Sequence, residues 1–176
     1  EIKSDQKAFV AEVVDAYQNT KRLTDPTNNL HILANNQIEI LWADYVNAGI
    51  TKFQSSKFIE ASEFFEVSQI AKPADSTGYL YAALSLQNSG KYQRAIDNYM
   101  ALRDISRLTK NAYNGLIICQ QLLNLPDAQQ LDVVEEALFE YPNHLPYILQ
   151  EIRILIRLKR FDAAESVLKT SIQRNP

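Results

Sequence analysis

Tyr45, Tyr79 and Tyr113 stand 34 residues apart, and Gly49/Ala83, Phe58/Tyr92, Ala61/Ala95 and Phe65/Tyr99 keep the same offset. A recurrence of this length leaves room for two helices per period, with small residues where they cross and aromatic residues in the space between. Each pair can bury its apolar face only against its neighbours. The chain is therefore expected to be an all-α helical-repeat solenoid. With 4 Gly and 6 Pro in 176 residues, it lacks the turn residues that a many-stranded β fold would need. The hydrophobic share of 46% is enough for one cooperative domain over residues 1–176.

The helices follow from apolar spacing and its interruptions. Ser4-Asp5 can cap a first helix whose residues Phe9, Val10, Val13, Val14 and Tyr17 share a face and which fades by Asp25-Pro26. Asn29 to Gln54 reads as one long helix with a break allowed at Asn35-Asn36, and its partner runs from Lys57 to Ala71, before Pro73. The next pairs are Thr77–Asn88 with Tyr92–Leu108, Lys110–Asn124 with Ala128–Tyr141, and Leu145–Leu158 with Phe161–Gln173. Gly90 suits the left-handed turn between the helices of the second pair. Phe161, Ala164 and Leu168 follow Tyr92, Ala95 and Tyr99 by 69 residues, so the third pair carries one extra residue, with Leu125-Pro126-Asp127 as its turn. The expected division is an N-terminal helix and helix extension at 1–42, then repeats at 43–75, 76–109, 110–143 and 144–176.

A formal charge of −3 and a pI near 5.4 provide no basic field for nucleic acid or for anionic membrane surfaces. No apolar run reaches the roughly 20 residues that span a bilayer, so direct membrane insertion is not expected. Cys119, the only cysteine, excludes an intrachain disulfide and is expected to be an inert core thiol. His31 and His144 are isolated, so neither a metal nor a cofactor is expected. Glu60, Glu63, Glu66, Glu135 and Glu136 read as solvated outer faces, not as the converging carboxyl pair of an acid–base catalyst. Glu1 in place of an initiating Met leads us to expect an upstream segment: a signal peptide, a lipidated leader or more protein.

The arrangement of Tyr45, Gly49, Ala61, Phe65 and Pro73, and of Tyr79, Ala83, Gly90, Tyr92, Ala95 and Tyr99, resembles the tetratricopeptide repeat. The third unit departs, with Ile117 at the small position and a glutamine where Ala belongs, so its helices are expected to sit farther apart. The fourth recovers the pattern through Phe161, Ala164, Leu168 and Pro176. The resemblance implies a right-handed superhelix, first helices lining a concave groove for a peptide or a partner helix, and no enzymatic activity. A narrower similarity of Glu136 to Asn143 and Ile148 to Ser166 to secreted or envelope repeat proteins of bacteria implies the periplasm or cell envelope. That family's carboxylate clamp of Lys, Asn and Arg has no counterpart. In one register the positions hold Val46, Ile50, Tyr81, Asn111 and Gly115, and in the next Leu80, Leu84, Gly115, Pro146 and Gln150.

Ser76 to Gly90 and Asn111 to Pro126 contain no charged residue. The groove is accordingly expected to be lined by Val46, Ile50, Phe53, Leu80, Tyr81, Leu84, Gln87, Asn88, Asn114, Ile118 and Gln121, to suit a neutral partner, and to bind with little dependence on salt. The alternative is that this face is covered internally, by the N-terminal helix or by superhelix curvature. Arg153 and Arg157, four residues apart, share a helix face; they can anchor an acidic group at the end of the groove or be neutralised by Glu151 or Glu165. Trp42 and Phe53 read as core and groove wall. Two further readings compete with the interaction module. One is a self-associating subunit, a homodimer through Ile152, Leu155, Ile156, Val167, Leu168 and Ile172, which are too many apolar residues for one inward face unless the chain continues; the other is an accessory binder of glycans or small molecules.

Overall fold

A computed structural model describes residues 4–174. Among the described residues there are nine α-helices and no strand: α1 (Ser4–Leu23), α2 (Asn29–Gln54), α3 (Phe58–Ala71), α4 (Ser76–Asn88), α5 (Tyr92–Ile105), α6 (Lys110–Leu122), α7 (Asp127–Glu140), α8 (Leu145–Arg157) and α9 (Phe161–Arg174). The fold is thus an all-α helical repeat. The Ser4 side chain, expected as a cap, and Pro176, expected to close the last repeat, lie outside what is described. Contacts divide the chain into two compact units, Glu1–Arg107 and Leu108–Pro176.

In the first unit α2 runs without interruption through Asn35-Asn36, because Ala34 and Ile38 on either side are both buried. Asn28 caps α2 by accepting a hydrogen bond from the Leu30 amide, and Asp75 caps α4 by accepting one from Thr77. Val10 and Val14 of α1 pack with Val67 and Ala71 of α3, joined by Leu41, Trp42 and Tyr45 of α2. A second cluster joins Val46 of α2, Ala61 and Phe65 of α3 and Ala82 of α4. Small residues set these crossings: a Cβ on Gly49 would fall 2.7 Å from the Phe65 ring, and one on Gly78 would fall 2.6 Å from Ser68 Oγ. Glu66 is drawn inward, against expectation, because it takes ion pairs from Lys7 of α1 at 2.7 Å and Arg94 of α5 at 2.5 Å. Glu60 likewise pairs with Lys52, whose hydrogen bond holds its carboxyl below the usual range.

The repeat is written most clearly in the backbone. Ser56, Gly90, Asn124 and Lys159 have φ of 56°, 74°, 50° and 58°, and each follows the first helix of a pair. In each turn two backbone bonds close the helix end: Gly90 N–H to Gln87 O and Lys91 N–H to Leu86 O in one pair, Lys159 N–H to Ile156 O and Arg160 N–H to Leu155 O in another. The extra residue of the third pair lies in its turn, where Leu125 and Pro126 precede α7 while Lys91 alone precedes α5. Only one of the four positions is glycine, and a side-chain-bearing residue there costs roughly 1–2 kcal/mol. Lys159→Gly is therefore expected to stabilise the second unit by up to about 1 kcal/mol, read as a higher denaturation midpoint.

Helix α5 ends at Ile105, short of the expected Leu108. Ser106 is extended, and Leu108 is buried in the second unit just ahead of Thr109, whose side chain caps α6. There Tyr113 is flanked edge-on by Tyr141 and Tyr147 at 6.2 and 6.5 Å. The hydroxyl of Tyr141 donates to Leu108 O and that of Tyr147 to Lys110 O, so two aromatic side chains hold the start of α6. Tyr113 donates to Glu136 at 2.9 Å, which removes Glu136 from the solvated face on which the sequence placed it. Burial, then the neighbouring Glu136, raises the Tyr113 phenol well above its ordinary value; burial lifts Tyr147 to about 12. Ile117 and Gln130, the residues that break the repeat pattern, are both buried.

Candidate peptide-binding groove

The expected groove residues fall into two groups that the structure treats differently. In the first unit Val46 is 7% exposed and belongs to the core, because its side chain turns toward Phe65 and Ala82. Ile50 and Phe53 are half-buried against the same cluster, and Tyr81 stacks on Phe65 at 5.3 Å while meeting Phe53 edge-on at 6.4 Å. Leu80 and Leu84 are half-buried. The amides of α4 are engaged locally: Gln87 Oε1 accepts from the Tyr99 hydroxyl at 2.8 Å, and Asn88 donates to Leu84 O. Helix α1 packs on α2 and α3.

In the second unit Asn114, Ile118 and Gln121 of α6 are exposed, as is Arg153 of α8. Together with Ile117, Pro146, Tyr147, Leu149 and Gln150 they enclose an open, largely apolar groove of about 440 Å³. Gln121, Gln150 and Arg153 also line the adjoining polar recess of about 620 Å³, which Asn124, Leu125, Asp127, Gln130 and Arg157 complete. The two recesses form one trough between α6 and α8, apolar at the end where α8 begins and polar toward its close. Helical spacing produces this line: Asn114, Ile118 and Gln121 lie three or four residues apart on α6, and on α8 Leu149 and Gln150 each lie three or four residues from both Pro146 and Arg153.

The charges of the trough are unequal. Arg157 places Nε and Nη2 at 2.8 and 2.6 Å from Asp127 Oδ1, and this bond holds the Asp127 carboxyl below its ordinary range. Its neutralising partner is therefore Asp127, not the expected Glu151 or Glu165, because α7 begins beside the end of α8. Arg153 makes no hydrogen bond or ion pair with any described residue. Gln130 is 6% exposed; its Nε2 donates to Leu125 O at 2.7 Å, which leaves Oε1 buried at the recess with no donor. A buried acceptor without a partner carries a desolvation cost of about 1–3 kcal/mol, which an arriving N–H relieves. Nothing in the residue pattern marked Gln130 for this role, except that it stands in the place of a small residue.

The remaining candidates are structural. Trp42 is part of the core and lies under Lys72, whose Nζ is 4.4 Å from the ring centroid. His31 Nδ1 sits 3.1 Å from Lys21 O, at the α1–α2 turn, and the His144 ring lies 4.2 Å from that of Tyr147. Among the described residues no group of three His, Cys, Asp or Glu could hold a metal ion, and no helix is long and apolar enough to cross a membrane. Cys119 is fully buried, and burial pushes its thiol up to about 11. Iodoacetamide at pH 8 is expected to leave Cys119 unmodified in the native chain and to alkylate it in urea, as mass spectrometry will show.

No protein-family model and no curated protein matches the sequence. Solved structures do match in three dimensions. YrrB, described as a TPR protein with an unusual peptide-binding site, is 16% identical over 75% of this chain and 68% of its own, with a TM-score of 0.60. Two structures of MamA, 14% and 15% identical, cover 97% and 98% of this chain and 92% and 95% of their own, with TM-scores of 0.62 and 0.61. At these identities the likeness speaks for the fold, and it agrees with the helix pairs, the small residues at their crossings and the recurring left-handed turns: this chain has the tetratricopeptide-repeat fold.

Proposed function

We propose that the protein is a non-enzymatic interaction module and that the α6–α8 trough receives a segment of another protein. The observation that carries this reading is the pairing, in one trough, of an apolar wall with two unmet polar groups, Arg153 and Gln130 Oε1. A matching segment places a non-polar side chain against Ile118, Pro146 and Leu149, a carboxylate at Arg153, and a backbone or side-chain N–H at Gln130. A guanidinium–carboxylate contact is charge-assisted and directional, so it selects orientation as well as composition. This refines the expectation of a neutral partner and of salt-insensitive binding, since an exposed Arg153 adds a contribution that salt screens. Ile50, Phe53, Leu80 and Leu84 of the first unit offer further apolar surface for the same kind of ligand.

Selection from a random peptide library on the purified chain tests the proposal. Enriched peptides are expected to pair an acidic with an apolar residue, and to lose at least about tenfold in affinity against Arg153→Glu or Ile118→Asp. Peptides that bind both variants as tightly as the original chain would overturn it. Self-association is the second reading, favoured by the exposure of Ile156, Phe161, Leu168 and Ile172 on α8 and α9 at 50%, 61%, 46% and 61%. Sedimentation decides it: a concentration-dependent dimer that Leu168→Glu dissociates supports this reading, and a monomer at high concentration removes it.

A further inference from the structure

On the side of α8 away from the trough, a cavity of about 200 Å³ opens among α7, α8 and α9. Leu138, Ile148 and Val167 give its apolar wall, Ser166, Thr170 and Ser171 add hydroxyls, and Glu151 is its one charged lining residue. This cavity shares no lining residue with the trough. Glu151 is half-buried and makes no hydrogen bond or ion pair with any described residue. Its nearest electrostatic influence is unfavourable, for burial first and the charge of Glu135 second raise its carboxyl above the ordinary value. A carboxylate held in this way lacks a cation. Three of the carboxylates that the sequence placed on outer faces behave differently: Glu60, Glu66 and Glu136 each have a donor within the fold.

The cavity's dimensions narrow the ligand. Sites for drug-sized molecules run to roughly 300–1,000 Å³, so about 200 Å³ suits a single side chain. The lining joins apolar side chains to hydroxyls and carries its one charge at Glu151, which suits an alkyl stem ending in a cation. An ammonium is more compact than a planar guanidinium with its five donors, and its three donors call for few acceptors, which Glu151 and the hydroxyl-bearing Ser166 and Thr170 of the same lining provide. We propose that this cavity is a subsite for a lysine side chain of a partner protein, with Leu138, Ile148 and Val167 along the methylenes and Glu151 on the ammonium. The assignment stands independently of the trough.

The test is titration of the isotope-labelled chain, followed by NMR, with a short peptide bearing one central lysine. Comparison peptides carry norleucine or Nε-acetyl-lysine at that position, and n-butylamine is titrated separately. Shifts at Ile148, Glu151 and Val167 are expected with the lysine peptide and to be at least about tenfold weaker with both comparison peptides. Glu151→Gln should weaken lysine-peptide binding by a similar factor while its spectrum stays native. This variant removes an unpaired charge, so it should fold more stably at neutral pH. That gain fades as pH falls through the raised native pKa toward the unfolded value, because the wild-type carboxyl is then protonated in both states. Equal binding of the norleucine peptide, retention of affinity in Glu151→Gln, or butylamine binding as tight as the lysine peptide would each overturn the assignment.

Discussion

Phe65→Ala should lower the stability of the first unit by about 3–5 kcal/mol, a large part of what a domain of this size possesses. Phe65 is wholly buried, stacks on Tyr81 at 5.3 Å and lies over Gly49, so its removal leaves a cavity bounded by three helices. Urea denaturation followed by circular dichroism measures the effect, and Phe139→Ala, at a residue 84% exposed, should stay within about 0.5 kcal/mol of wild type. The same geometry predicts coupling. Gly49→Ala alone forces a methyl to 2.7–2.9 Å from the Phe65 ring and should destabilise. In the Phe65→Ala background that clash is gone, and the better helix propensity of alanine, up to about 1 kcal/mol, should make the substitution neutral or favourable. Additive effects in this cycle would show that Gly49 is not there to admit the ring.

Tyr113→Ala is the corresponding large effect in the second unit, again about 3–5 kcal/mol. Tyr113 is 2% exposed, contacts Tyr141 and Tyr147 edge-on, and donates to Glu136. Truncation removes the ring and a hydrogen bond to a charged acceptor together. Tyr113→Phe separates the two, since it keeps the ring and should cost about 1.5–3 kcal/mol through the lost bond to a carboxylate. Hydrogen exchange should report faster opening at the start of α6, where the Tyr141 and Tyr147 hydroxyls hold the carbonyls of Leu108 and Lys110. Unchanged protection there in Tyr113→Ala would remove the tyrosine cluster as the support of that helix.

Residue order alone determined the helices, to within a few residues at their ends, and the spacing of their turns. The offset that links Tyr45, Tyr79 and Tyr113 also separates the left-handed turns at Ser56, Gly90 and Asn124, and the extra residue inferred for the third pair lies in the turn before α7. Such features are local: apolar spacing, capping residues and turn geometry act over a few residues, and the repeat copies them along the chain. Tertiary structure decided which polar groups remain available. Gln87 and Asn114 look alike as amides in charge-free segments, but Tyr99 occupies the first and the second faces a groove. Arg153 and Arg157 look like one pair, but Asp127, thirty residues upstream of Arg157, neutralises only the latter. Gln130 and Glu151 acquire their unmet valence solely from what the neighbouring helices bring beside them. A hydrogen bond or ion pair is satisfied by proximity in space, and proximity between distant positions is a property of the packed chain.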